Sequence, residues 1–359
     1  MPRGVFGGSG SDALNQKEVC DEVIALTGKD ASDVSVLYLG TATYDAEGAR
    51  EKQTVRFREA GCEIVSLDIA ETAPTFSAMR QSVSRADVVL VSGGNTLYAV
   101  DRWKSIGMDV LLREAMQRGV VLSGGSAGAV CWFDGAHSDS ADPSTFKKNR
   151  TGTSSVGGME GSGAEEAESE AVESWEYIRV DGLAFFPGLV CPHYDRRQSN
   201  GVLRADDFAG MVKVRGGENG LGIDHWAYIV LDGETYRVGA VPGKGGSQLE
   251  GGGFSEKGEG TPGVWHVSAR PLSDSEVDEK VSVKREQLPR TGPASLLLRP
   301  AASIEKDPRV DIVRKLNPIP PVSEALQARE LQATLGGASE VGDIQNIKSV
   351  GAFDILSKL

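Results

Sequence analysis

Through the first third of the chain, apolar positions alternate between two periods. Short apolar runs at 34–39, 63–67, 87–91 and 120–122 read as buried strands. Between them, residues 13–26, 46–60, 76–84 and 97–117 carry apolar side chains at helical spacing. This alternation predicts an α/β fold, a mostly parallel sheet with helices on both faces in a flavodoxin-like three-layer arrangement. Such sheets collect their ligands at the carboxyl ends of the strands. Three glycine-rich loops would meet there: Gly7-Gly8-Ser9-Gly10, Ser92-Gly93-Gly94-Asn95-Thr96, and the turn around Ser126.

After Phe133 the pattern changes. Residues 141–176 hold Lys147-Lys148-Asn149-Arg150, then the acidic run Glu165-Glu166-Ala167-Glu168-Ser169-Glu170. A segment this poor in apolar side chains cannot offset its ordering entropy, so it reads as an insertion without fixed structure. Apolar order resumes at 183–190, followed by a helical pattern at 206–214 and strand-like pieces at 220–224, 228–231 and 235–238. Asp232-Gly233 between the last two is a hairpin signal, so small antiparallel additions are expected near the C-terminal end of the core. Residues 243–263 are glycine-dense and read as a mobile loop. Pro318-Ile319-Pro320-Pro321 then precedes a helical pattern at 322–335 and a mixed tail at 353–359. The expected layout is one α/β domain over 1–300 with a C-terminal appendage over 301–359.

Composition narrows the partners. The 359 residues are 40% hydrophobic and 25% charged, ordinary for a globular chain. A net charge of −13 argues against nucleic acid or an anionic membrane surface. No apolar run approaches the roughly 18 residues of a membrane helix, and the N-terminus is too short and glycine-rich for a secretory signal. Cys20, Cys62, Cys131 and Cys191 lie far apart without a C-x-x-C pair, which reads as buried thiols in a reducing, cytoplasmic compartment. There is no H-E-x-x-H and no G-x-G-x-x-G, so neither a metal nor another cofactor is expected.

The chemistry concentrates at Gly124-Gly125-Ser126-Ala127-Gly128. An apolar strand, a serine between glycines and a helix-compatible segment give the context of a G-x-S-x-G nucleophile elbow. A serine hydroxyl needs a base to take its proton and an acid to orient that base. Of His137, His193, His225 and His266, His193 follows an apolar strand and stands at the same sheet edge as the elbow. His225 reads as a packed or edge histidine and His266 as a strand residue. An elbow helix running away from Ser126 would carry His137 off. The same helix would place Asp134 about two turns from the serine, at roughly 1.5 Å per residue. Asp139, beyond the helix, is favoured over Asp134 and Asp142 as the acid. Backbone N–H groups of Ala127 and of the Gly93-Gly94 turn, Gly94 in particular, are candidates for an oxyanion hole. Asn95 or Thr96 would also cap the helix that follows.

The motifs Ser92-Gly93-Gly94-Asn95-Thr96, Gly124-Gly125-Ser126-Ala127-Gly128-Ala129 and Pro192-His193-Tyr194 together resemble the peptidase E (aspartyl dipeptidase) family of serine peptidases. The resemblance runs over roughly residues 4–242, insertion apart. It implies a fold related to class I glutamine amidotransferases and a Ser–His–acid triad falling on Ser126, His193 and, as the chosen acid, Asp139. The implied activity is removal of N-terminal aspartate from dipeptides by a monomer or homodimer, with a small peptide as partner. A substrate carboxylate wants a cationic fork, so Arg196, Arg197 and Arg204 are substrate-binding candidates, with Asn95 in the glycine loop. A cyanophycinase-like hydrolase of β-aspartyl-arginine is the near alternative. More distant ones are an α/β-hydrolase esterase, whose H-G-G-G loop is missing, and a binding protein without catalysis.

Overall fold

The computed structural model describes residues 2–147, 175–215, 217–246, 255, 258–271, 281–301 and 303–321. Its first sheet is built on five parallel strands: β1 (Gly4–Gly7), β2 (Ser35–Leu39), β3 (Glu63–Ser66), β4 (Val88–Val91) and β5 (Val121–Gly125). Their spatial order is β1-β5-β4-β2-β3. The helices are α1 (Ser11–Leu14), α2 (Lys17–Thr27), α3 (Glu47–Ala60), α4 (Phe76–Arg85), α5 (Thr96–Ile106) and α6 (Met108–Gln117). Period-two alternation sorts the strand side chains. Val36, Tyr38, Val88, Leu90 and Val121 share a core with Val19, Val23 and Phe57 of α2 and α3. Leu37, Leu39, Val89, Val91 and Leu122 pack with Met79, Val100, Trp103 and Leu111 of α4 to α6. The expected mixed α/β architecture, helices on both faces, is what the chain forms.

A second sheet exceeds the small antiparallel additions expected. After a single-turn helix α7 (Ala127–Val130), the chain forms β6 (Phe133–Ser138), β7 (Ile178–Asp181), β8 (Phe186–Cys191) and β9 (Gly220–Ile223). Strands β10 (Ala227–Asp232) and β11 (Thr235–Ala240) return to the first sheet through the Asp232-Gly233 hairpin, with Gly233 at φ 62°. Then β12 (Val264–Pro271) and β13 (Val281–Gln287) extend the second sheet, and β14 (Thr291–Pro293) edges the first. The second sheet runs β13-β12-β9-β8-β6-β7, with β6, β8 and β9 mutually parallel. Phe6, Phe133 and Phe186 stack edge-on and tilted at 5.2–5.3 Å and knit the two sheets together. Helix α8 (Arg204–Val214) covers the outer face through Phe208 and Val212. Arg179 of β7 is wholly buried between Glu218 and Asp181.

Glycine shapes both the second sheet and the broken helices. The strand-like piece read at 220–224 forms β9, where a Cβ at Gly222 would stand 2.4 Å from the Tyr194 ring. The helical pattern at 97–117 splits at Gly107, whose φ of 75° ends α5 and starts α6. The long elbow helix expected after Ser126 is one turn, because the N–H groups of Leu183 and Phe185 take the carbonyls of Cys131 and Trp132 that a longer helix would use. Asp134 and His137 therefore lie on strand β6, not on a helix. At the C-terminal side, α9 (Arg309–Leu316) docks on the core through Val310 and Val313 and pairs Arg314 with Asp101 of α5. Most of the predicted insertion (148–174), the helical pattern at 322–335 and the tail lie outside the described residues. Among the described residues no helix is long and apolar enough to cross a membrane.

Candidate active site

The carboxyl ends of β1 and β5 meet those of β8 and β9, the N–H of His193 after β8 donating to Gly8 O after β1, which places the first glycine loop against the strand ends of the second sheet. Ser126 occupies the turn between β5 and α7 at φ 55°, ψ −119°. That conformation is costly for any residue with a Cβ and persists only where the surroundings impose it. The glycines impose it. A Cβ at Gly124 would meet Gly128 O at 2.3 Å, one at Gly125 would meet Ser9 O at 2.0 Å, and one at Gly128 would meet Val91 O at 2.1 Å. Ser126 N–H donates to Gly7 O at 3.1 Å, pinning the turn to β1. The residue keeps 9% of its surface exposed.

His193 follows β8 in a left-handed turn, φ 48°, and donates its N–H to Gly8 O at 2.8 Å. This turn swings the ring over the elbow, with Nε2 2.9 Å from Ser126 Oγ. Burial, reinforced by His225, Arg204 and Arg196, holds the imidazole well below its ordinary range. It is therefore neutral near pH 7 and able to accept a proton. The other ring nitrogen, Nδ1, lies 2.9 Å from Nδ1 of His225. His225 Nε2 in turn lies 2.9 Å from Asp12 Oδ2, and His225 N–H donates to Asp195 Oδ1 at 2.7 Å. The hydrogen bond with His225 pulls the Asp12 carboxyl below its usual value, with Lys244 and Arg196 adding to the effect.

The structure brings Ser126 and His193 together but leaves the expected acid elsewhere. Asp139, just beyond β6, is held by the buried Arg204 guanidinium at 2.7 Å. Asp134 accepts from Gly188 N at 3.0 Å, and Asp142 accepts from Ser144 N at 2.8 Å. The nitrogen of His193 that a triad acid would hold faces His225. Ala127, first residue of α7, presents an N–H without a helical acceptor beside Ser126. Gly93 also stands beside the nucleophile position, since a Cβ there would come 3.6 Å from Ser126 Cβ. Gly94, at φ 121°, packs on the Ala42 carbonyl. Asn95 is wholly buried; it caps α5 through Tyr98 N and donates to Thr145 Oγ1 at 2.9 Å. Arg204 donates to Pro192 O at 3.1 Å and lies over the Tyr177 ring, which makes it a buried brace for the His193 turn. Arg197 donates to Gly201 O. Arg196 stays 34% exposed in its side chain, next to Asp195.

Sequence reasoning passed over His225 and Asp12. His225 had the same signal that singled out His193, a position just past the carboxyl end of a parallel strand, here β9. Asp12 follows the Gly7–Gly10 loop in α1, the acid nearest in sequence to that loop. Among the described residues, no group of three or more His, Cys, Asp or Glu is set to hold a metal ion.

Comparison with known proteins joins this geometry to a lineage. The model of Peptidase family S51 matches residues 5–239, spanning both sheets from β1 to β11. The chain is 31% identical over 269 residues to a Trypanosoma brucei brucei protein named G2/mitotic-specific cyclin-1, covering 68% of this chain and 77% of that protein. It is also 31% identical over 160 residues to the uncharacterized peptidase YgaJ of Bacillus subtilis (strain 168), covering 45% of this chain and 54% of that one. A solved peptidase from an acI-B1 Actinobacterium superposes with a TM-score of 0.45 at 16% identity, over 67% of this chain and 88% of that one.

Proposed function

This chain belongs to Peptidase family S51 and is a serine peptidase, and we propose that Ser126 is its nucleophile, His193 its general base, and short peptides with an N-terminal aspartate its substrates. The observation that carries the reading is the 2.9 Å approach of a neutral, buried imidazole to a serine held in a left-handed turn. In the first step His193 Nε2 takes the Ser126 hydroxyl proton while Oγ forms a bond to the scissile carbonyl carbon. The carbonyl oxygen gains the negative charge, and in this reading the N–H groups of Ala127 and of the Gly93-Gly94 turn receive it. His193 then gives the proton to the departing amine nitrogen as the C–N bond breaks, leaving an acyl group on Ser126. Water, deprotonated by the same nitrogen, releases the acid and returns the proton to Oγ.

Substrate choice rests on charge. Arg196 lies close enough to depress His193 and Asp12 electrostatically, and Lys244 joins it at Asp12. A cation beside the base suits an aspartyl side chain, and Arg196 offers the bidentate fork that a carboxylate fits. Asp139 serves this site through Arg204, as the anion that fixes the brace beneath His193.

The test is a panel of Asp-X, Glu-X, Ala-X and β-aspartyl-arginine dipeptides, run beside Ser126→Ala. Asp-X turnover that vanishes in the variant supports the reading. Preference for the β-linked peptide moves the substrate to the cyanophycinase-like class, and unchanged turnover in Ser126→Ala overturns the nucleophile.

A further inference from the structure

We propose that His225 and Asp12 are the positioning residues of this site, so that a second imidazole, backed by a carboxylate, holds the Nδ1 of His193 where a triad would place its acid directly. The inference rests on Ser126 as nucleophile and His193 as base. Four groups from four separate segments line up at 2.9 Å, 2.9 Å and 2.9 Å: Ser126 Oγ, His193, His225 and Asp12. The backbone N–H of His225 is tied to Asp195, and its ring stands edge-on to Trp226 at 4.7 Å, the Trp226 ring itself lying under the Lys244 ammonium. The second ring is thus as firmly placed as the first.

Hydrogen-bond bookkeeping along the line permits one direction. To accept the serine proton, His193 must leave Nε2 bare and carry its hydrogen on Nδ1. That N–H donates to Nδ1 of His225, so the hydrogen of His225 sits on Nε2 and donates to Asp12. The ionised carboxylate only accepts, and Asp12 is held below its usual range, which favours that direction. When Ser126 O–H breaks and His193 Nε2–H forms, the imidazolium keeps its Nδ1–H toward His225, and Asp12 stabilises the charge through the intervening ring. A proton added to His225 reverses its bond to His193, places the hydrogen of His193 on Nε2 and removes the base. Facing the pair are Asp12 from α1, Asp195 and Arg196 after β8, Arg204 from α8, Asp224 after β9 and Lys244 after β11.

The test reads phosphonylation of Ser126 by a fluorophosphonate probe on the full chain, so it needs no identified substrate. Asp12→Asn should slow labelling on the order of 10- to 100-fold, since the carboxylate that orients the second ring is gone. His225→Glu should restore direct carboxylate support, and adding Asp12→Asn to it should change the rate less than about twofold. Equal effects of Asp12→Asn in both backgrounds, or none in the unaltered one, overturn the inference. Labelling that survives Ser126→Ala overturns the underlying nucleophile instead. Imidazole nitrogen NMR of the unaltered chain gives an independent reading if a variant fails to fold. His225 protonated on Nε2 at neutral pH supports the relay, and His225 protonated on Nδ1 overturns it.

Discussion

Two residues apart on the same stretch of chain, Cys191 and His193 belong to two constellations that look alike on paper and differ in everything that makes chemistry. Cys191 Sγ lies 3.6 Å from His137 Nδ1, and His137 Nε2 lies 2.7 Å from Asp207 Oδ1, the spacing of a Cys–His–Asp triad. Yet Cys191 ends strand β8 with no surface exposed, and burial first of all drives its thiol far above its ordinary range. A thiol that never ionises is not a nucleophile. His137 is equally sealed, its ring against Tyr177 and Phe208. Ser126, by contrast, stands in an imposed left-handed turn with 9% of its surface exposed and the N–H of Ala127 beside it. Distance alone therefore does not identify a catalytic group in this fold. Exposure and a strained turn separate the two.

The sharpest way to break the comparison is to disable each would-be nucleophile. Ser126→Ala should cost roughly 10⁴- to 10⁶-fold in kcat, the scale of losing a triad member. Cys191→Ala should leave kcat within about twofold and lower stability by about 1–2 kcal/mol, the cost of a small cavity. A comparable activity loss in both would mean the buried constellation participates. Placing the same chemistry in both positions sharpens the contrast. The thiol introduced by Ser126→Cys should react with iodoacetamide on the order of 100-fold faster than Cys191 in the folded chain, because it meets both solvent and a neutral imidazole. Gly128→Ala attacks the turn itself. Its Cβ would sit 2.1 Å from Val91 O, so activity should fall by about 100-fold or more as the nucleophile moves, with a melting curve recording the strain.

The elbow was legible because its requirement is local: glycines at fixed offsets from a serine, between an apolar strand and a helix. The parallel core was legible for a similar reason, since apolar runs such as Val88–Val91 are buried on both faces and leave a plain trace. The second sheet was legible only in part. The apolar order at 183–190 and the strand-like piece at 220–224 became β8 and β9, but β6, interrupted by Asp134 and Gly135, left no apolar run, and long-range pairing places its His137 beside Tyr177 and Phe208. Asp139 illustrates the limit. It reads from sequence as lying beyond a helix where the chain instead forms β6, and the Arg204 guanidinium that holds it comes from a helix 65 residues further on. His225 could have been weighed by the strand-end argument used for His193; Asp12 could not, because only the fold carries α1 across to β9.

Smaller effects test whether the buried constellation is purely structural. Asp207→Ala removes the acceptor of His137 and leaves a buried ring N–H without it. A loss of about 1–3 kcal/mol in urea unfolding, with activity within about twofold, is the expected result. Activity that drops along with stability would tie the two constellations together, and the contrast drawn above would fail.

The finest distinction is in acid. Both imidazoles are depressed below 6.5 mainly by burial, but His137 has the Asp207 carboxylate pulling it back up, whereas His193 has another imidazole and two arginines pushing it further down. A base whose folded pKa is depressed stays neutral in the folded chain, while the unfolded chain protonates below about 6.5. The unfolded state then binds more protons, so stability falls with falling pH, by at most about 1.4 kcal/mol per pH unit for each histidine. The loss ends where the folded ring itself takes up a proton, and that point lies lower for His193. Stability measured from pH 7.5 to 4.5 should therefore flatten in both His137→Gln and His193→Gln, but over a window reaching further into acid for His193. Identical windows would mean that Asp207 gives His137 no charge stabilisation, leaving the two rings distinguished by access alone.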